Sequence, residues 1–208
     1  MLTRDAAGML ELQNELNSLT DPNWAVRRRA WHRAIWVESA ELLEHHGWKW
    51  WKKQEANVEQ MHIELVDIWH FLLSQTLELV GDTHAAAQWI SFAWNKPVTP
   101  LSPDFPTSVE RFVQLVLGQA QPQVTAFAAL CGQADLPSEK LRRMYSAKNV
   151  LNIFRQRNGY KDGSYIKVWR GHEDNVWLEN LMTTMPGVGP SILMDKLTSM
   201  YADVVKSA

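Results

Sequence analysis

The chain has 208 residues, a formal charge of −2, a single cysteine and 11 tryptophans. That length buries a substantial core in one large domain or two small ones, and the near-neutral balance leaves no basic footprint for duplex nucleic acid. Cys131 has no disulfide or zinc partner, and no apolar run reaches signal-peptide or membrane-spanning length, so a soluble cytoplasmic protein is expected.

Taken in order, Met9, Leu12, Leu16 and Leu19 recur at spacings of three and four and predict a helix over about 4–19. Gln13 and Asn17 share a neighbouring stripe. Their amides both donate and accept, as reading a pyrimidine edge requires; spacing alone also allows two solvated amides. Thr20-Asp21-Pro22-Asn23 reads as a turn or helix start, with Pro22 suited to a first helical position. Arg27, Arg28 and Arg29 read as a solvated charge run.

The helix that follows carries Glu38 and Glu41 and stops at Gly47; a second long helix over about 55–79 carries Glu64 and Asp67 and stops at Gly81. On a helical wheel Glu38 falls inside the apolar arc of Trp31, Ile35 and Leu42, with Glu41 at its edge. Glu64 falls inside the arc of Met61, Ile68 and Phe71, with Asp67 at its edge. Carboxylates on core-facing stripes are expensive unless neutralised. Four of them converging suit a hard cation, Mg2+ or Mn2+. Between the two helices, Trp48, Trp50 and Trp51 are candidates for a pocket lining or a subunit interface.

Shorter helices are expected over 84–94, 109–118 and 124–130, with a proline-bearing connection over 95–106. Ser138 is placed as the cap of a helix running to Arg157. On it Lys148, Asn152 and Arg155 stand at i, i+4 and i+7. Asn158-Gly159 ends that helix, and Lys161 and Lys167 add cations beside flexible turns. Cations on a helix face next to such a loop make a clamp for a polyphosphate or, equally, a solvated basic helix end. Two more helices, over 176–185 and 191–205, flank a turn at 186–190. The whole is read as one all-α domain over 1–208, with a mobile helical subdomain around 83–136.

Four blocks together resemble the dimeric all-α dUTPases, within the all-α nucleoside triphosphate pyrophosphatase superfamily. They are Q-N-E-L-N from Gln13, E-S-A-E with the following W-K-W-W-K, E-L-V-D-I-W-H-F from Glu64, and the run from Lys148 to Trp169. The resemblance implies a dimeric helical bundle that hydrolyses dUTP, and dUDP, with magnesium as cofactor and manganese as a substitute. Glu38, Glu41, Glu64 and Asp67 would hold metal, and Glu38 would activate the water that attacks the β-phosphorus. Gln13, Asn17, Trp50, His70, Phe71 and Asn152 would bind base and sugar. Lys148, Arg155, Tyr160, Lys161 and Lys167 would close over the phosphates. Three alternatives remain at this point: a sister enzyme acting on dCTP or several dNTPs, a di-iron bundle using the D-x-x-H of Asp67 and His70, and a non-enzymatic helical interaction module.

Overall fold

A computed structural model describes residues 1–118 and 121–207. Among them are nine α-helices: α1 (Thr3–Thr20), α2 (Trp31–His46), α3 (Val58–Val80), α4 (Thr83–Trp94), α5 (Phe105–Gly118), α6 (Val124–Gln133), α7 (Ser138–Arg157), α8 (Asp174–Thr184) and α9 (Pro190–Ser207). A two-residue antiparallel hairpin, β1 (Val168–Trp169) with β2 (His172–Glu173), precedes α8. None of the described helices is long and apolar enough to cross a membrane.

The central element is α3. The Asn57 side chain accepts from the Gln60 N–H at its start, and Gly81 at φ 73° closes its end through Gly81 N–H to Leu77 O. Apolar residues bury it on nearly every side. Trp69 stacks on Phe127 of α6 at 5.3 Å, meets Trp94 of α4 edge-on at 5.5 Å, and points its indole N–H at Met9 Sδ of α1. Helices α4, α5 and α6 thus share one core with α1, α2 and α3. The second half of α7 builds another cluster with the hairpin, α8 and α9, around Phe154, Trp169, Leu197 and Tyr201. Helix α7 joins the two.

Three local readings are corrected. Ser138 does not cap α7; it is the first helical residue, behind Pro137, whose carbonyl accepts from Leu141 N–H. Pro22 does not open a long helix. The Asp21 carboxylate accepts from Asn23 N–H and pairs with Arg27 and Arg29, so the chain turns through a short 3-10 segment at Trp24–Val26 before α2. Arg27 and Arg29 stay exposed, as a solvated run does, while pairing with that carboxylate. Pro106 lies inside the first turn of α5, where the missing N–H costs nothing.

Candidate active site

Functional side chains sit where α1, α2, α3 and α7 meet. Along α3 the residues 64, 67, 70 and 74 form one polar stripe at helical spacing through an otherwise apolar helix. Opposite it lie residues 38 and 41 of α2, then 13 and 17 of α1, then 148, 152 and 155 of α7.

At one end of the stripe, one carboxylate oxygen each from Glu38, Glu41 and Glu64 lie within 4.8 Å of one another. Glu64 is only 6 % exposed. Burial, reinforced by Asp67 and Glu41, raises the Glu38 carboxyl to about 7 from an ordinary 4.5. Burial, reinforced by Asp67 and Glu38, raises Glu64 to about 8. His45 Nε2 stands 3.3 Å from Glu64 Oε1. Such a set of hard oxygen donors is what a divalent cation neutralises, so the residues present fit a metal. Asp67 is turned to Lys148, its Oδ2 2.8 Å from Nζ, and Asn175 Oδ1 takes a second contact from the same ammonium.

A cleft of about 660 Å³ opens beside this cluster, lined by Glu38, Asp67, Gln13, Asn17, His70, Phe71, Asn152, Arg155 and Tyr160 among others. In it Gln13 Nε2 donates to Asn17 Oδ1, and Asn17 Nδ2 donates to Ser74 Oγ. Gln13 Oε1 lies 2.8 Å from His70 Nδ1. Burial holds the His70 imidazolium well down, to about 3, so the ring is neutral at physiological pH. Phe71 packs near Trp31, whose ring centroid is 6.4 Å away.

The cations enter from α7 and its C-terminal turn. Gly159 at φ 88° allows the chain to fold back; a Cβ there would lie 1.9 Å from Ser164 Oγ. The turn places the Tyr160 ring over the Arg155 guanidinium, 5.7 Å from Cζ to centroid. Arg155 is gripped by Asp174, Nε to Oδ2 at 2.8 Å and NH2 to Oδ1 at 2.6 Å, and Tyr165 donates to the same carboxylate. Burial alone would raise the Asp174 carboxyl, but the Arg155 partner overrides it and holds the acid below its ordinary range.

Most sequence-expected residues therefore converge; of the four carboxylates, Asp67 lines the cleft but stands outside the three-oxygen cluster, and three other residues lie away from the site. Trp50 is 89 % exposed, on the turn after α2, edge-on to Trp51 and outside the cleft. Lys167 pairs with Glu173 across the hairpin. Lys161 reaches the rim, where it donates to Thr20 O. Sequence reasoning passed over Asp174, Asn175, Ser74 and Tyr145, and weighed His45 only as a partner of Glu41. Only Asp174 carries a local signal, as an acidic residue in the first turn of a helix.

The raised carboxyls give a pH dependence with a definite sign. Between about pH 4.5 and 8 the folded protein keeps protons that the unfolded chain has released. Stability of the metal-free protein therefore falls as pH rises through that window. Saturating magnesium is expected to raise Tm by several degrees at pH 8 and by little at pH 5. Melting curves in EDTA and in magnesium check this; a metal-free Tm flat from pH 5 to 8 with no magnesium effect would contradict it.

A family model described as dUTPase matches residues 5–160, well over half of the chain. No curated protein matches it.

Proposed function

The chain belongs to the all-α dUTPase family, and from that premise we propose that it is a magnesium-dependent enzyme that splits dUTP, and dUDP, by attack of water on the β-phosphorus. Hydrolysis of dUTP is the family's activity. The observation that carries the finer reading is the convergence of the Glu38, Glu41 and Glu64 oxygens beside a cleft that holds amides, a neutral imidazole and cations. The same family assignment removes the interaction-module alternative. The di-iron alternative needs a second carboxylate–histidine pair at i, i+3, and α2 offers only Glu41 and His45, four apart.

Glu38, Glu41, Glu64 and Asp67 would hold the cation. A divalent ion there supplies charge shielding for the phosphates and acidifies water. Glu38 takes the proton from the attacking water, at the junction of the carboxylate cluster and the cleft. The new bond joins water oxygen to the β-phosphorus. The bond to the bridging α–β oxygen breaks, and that oxygen leaves on dUMP. Lys148, Arg155 and Tyr160 line the cleft and are the groups available to the phosphate chain; Lys161 and Lys167 would join them only by leaving Thr20 O and Glu173. Lys148 and Arg155 are paired with Asp67, Asp174 and Asn175, so phosphate competes for cations already placed. Gln13, Asn17, His70, Phe71 and Asn152 take base and sugar, with Phe71 against the ribose face where a 2′-hydroxyl would be excluded. Trp50 would join them only by movement of its loop.

Exposed apolar side chains on and after α2, Trp36, Val37, Trp50 and Trp51, support a homodimer. A second reading keeps the fold and the metal cluster but moves base preference to dCTP, since amide side chains can present either edge. Turnover in 18O-labelled water tests the chemistry. Label in pyrophosphate is expected; label in dUMP would contradict attack at the β-phosphorus.

A further inference from the structure

Tyr145 is fully buried on α7, one turn before Lys148, and does not line the cleft. It nevertheless touches two of the residues that do. Its hydroxyl lies 3.0 Å from Gln13 Oε1 and 2.9 Å from Met9 O, and its ring lies 4.4 Å from the His70 ring. We propose that Tyr145 is the positioning residue that fixes which way the Gln13 amide and the His70 imidazole face, and so sets the choice of uracil over cytosine. The inference rests on the dUTP reading above and deepens it.

The Tyr145 hydroxyl has one proton to give. Met9 O and Gln13 Oε1 both lie within reach of that proton and each has a lone pair to spare, so the proton is shared between them and favours the Gln13 oxygen over its NH2 on this side. With that oxygen held inward by Tyr145, the only assignment left for His70 is the tautomer with its proton on Nδ1, donated to the same oxygen at 2.8 Å. Gln13 Nε2 then donates to Asn17 Oδ1, Asn17 Nδ2 to Ser74 Oγ, and Ser74 Oγ to His70 O at 2.9 Å. The bonds run in one direction through all four side chains, and only His70 Nε2 is left over.

What is left over points to a ligand. His70 Nε2 is buried with no hydrogen-bond partner among the described residues, in a side chain that is 4 % exposed and lines the cleft. In this tautomer it is a bare acceptor. The remaining amide hydrogens of Gln13 and Asn17 are donors. An acceptor beside donors matches the imide edge of uracil, an N–H flanked by two carbonyl oxygens. It mismatches cytosine, whose ring nitrogen there is itself an acceptor beside an amino donor. Turning Gln13 over would reverse the chain of bonds and move the imidazole proton to Nε2, leaving a buried N–H with no acceptor in the free protein. A buried polar group that is left unmatched is the strongest source of discrimination a pocket has. Without the hydroxyl, the reversed arrangement loses its main competitor.

Tyr145→Phe removes the hydroxyl and keeps the ring. Steady-state kinetics with dUTP and dCTP are compared for both proteins. The expected result is a fall of about tenfold in the ratio of kcat/KM for dUTP over dCTP, carried by a higher KM for dUTP with kcat nearly unchanged. The 15N spectrum of the His70 ring, assigned by difference against a His70→Gln variant, reads the same claim without turnover. The wild type should carry its proton on Nδ1, and Tyr145→Phe should shift population toward Nε2. An unchanged selectivity ratio, an equal loss for both nucleotides, or a wild-type His70 protonated on Nε2 would each overturn the proposal. A wild type that turns over no dUTP would count against the functional reading instead, and the tautomer measurement would still judge this one.

Discussion

Glu38→Gln is expected to lower kcat for dUTP by roughly 10³-fold while the variant melts no lower than the wild type in EDTA. The two halves of this result have one cause. Glu38 sits at the meeting point of α2 and α3, where burial and its carboxylate neighbours raise it to about 7. In the absence of metal that arrangement costs stability, because near-neutral pH forces charge into a site that disfavours it. An amide of the same shape relieves the repulsion with Glu64 and Asp67 and still fills the space. The same amide cannot take a proton from water and is a poorer cation ligand. Residues that lower stability where they stand are the ones expected at a site of chemistry. A variant with normal turnover would remove Glu38 from the reaction; a variant that unfolds would show that the carboxylate is structural. Measured kcat and thermal melting decide between them.

Asp174→Asn is expected to cost about 3–5 kcal/mol of folding free energy, the usual loss when one partner of a buried ion pair is removed. Asp174 has no exposed surface; it holds Arg155 through both oxygens and takes the Tyr165 hydroxyl. Asparagine keeps the outline but leaves a buried guanidinium without an anion. For a chain of this size the change corresponds to a Tm lowered by roughly 10 °C. Because Arg155 is also proposed as a phosphate ligand, a non-hydrolysable dUTP analogue should raise Tm more in the variant than in the wild type. Thermal melts with and without the analogue measure both effects. An unchanged Tm would mean that the Arg155–Asp174 pair is not needed to hold α8 on α7.

Much of the helical layout was legible because apolar spacing and terminal glycines coincide. The stops at Gly47 and Gly81 adopt the left-handed conformation that glycine permits. The carboxylate pairs were legible for a related reason: charge on an apolar arc is a conflict that only a tertiary partner resolves. The face shared by Lys148, Asn152 and Arg155 follows from helical period alone. What sequence reading could not place depends on contacts distant along the chain. Asp174 reads as an ordinary helix-start acid until α8 packs on α7 and brings it to Arg155. Lys167 and Lys161 read as free cations until Glu173 and the Thr20 carbonyl claim them. Trp50 was assigned by its motif, but its side chain lies on a turn whose direction no local pattern sets. No local pattern sets Tyr145 apart from a core aromatic; only its hydroxyl, aimed across to α1, distinguishes it.

The central claim is that the carboxylate cluster on α2 and α3 drives metal-dependent cleavage of dUTP in the adjoining cleft. The most direct measurement mixes purified protein with dUTP, dUDP, dCTP, UTP and the other dNTPs, in magnesium or in EDTA, and resolves the products by ion exchange. Magnesium-dependent conversion of dUTP to dUMP and pyrophosphate, with UTP and dCTP largely spared, is the result expected. Turnover of dUTP that persists undiminished in EDTA, or none with magnesium present, would contradict it.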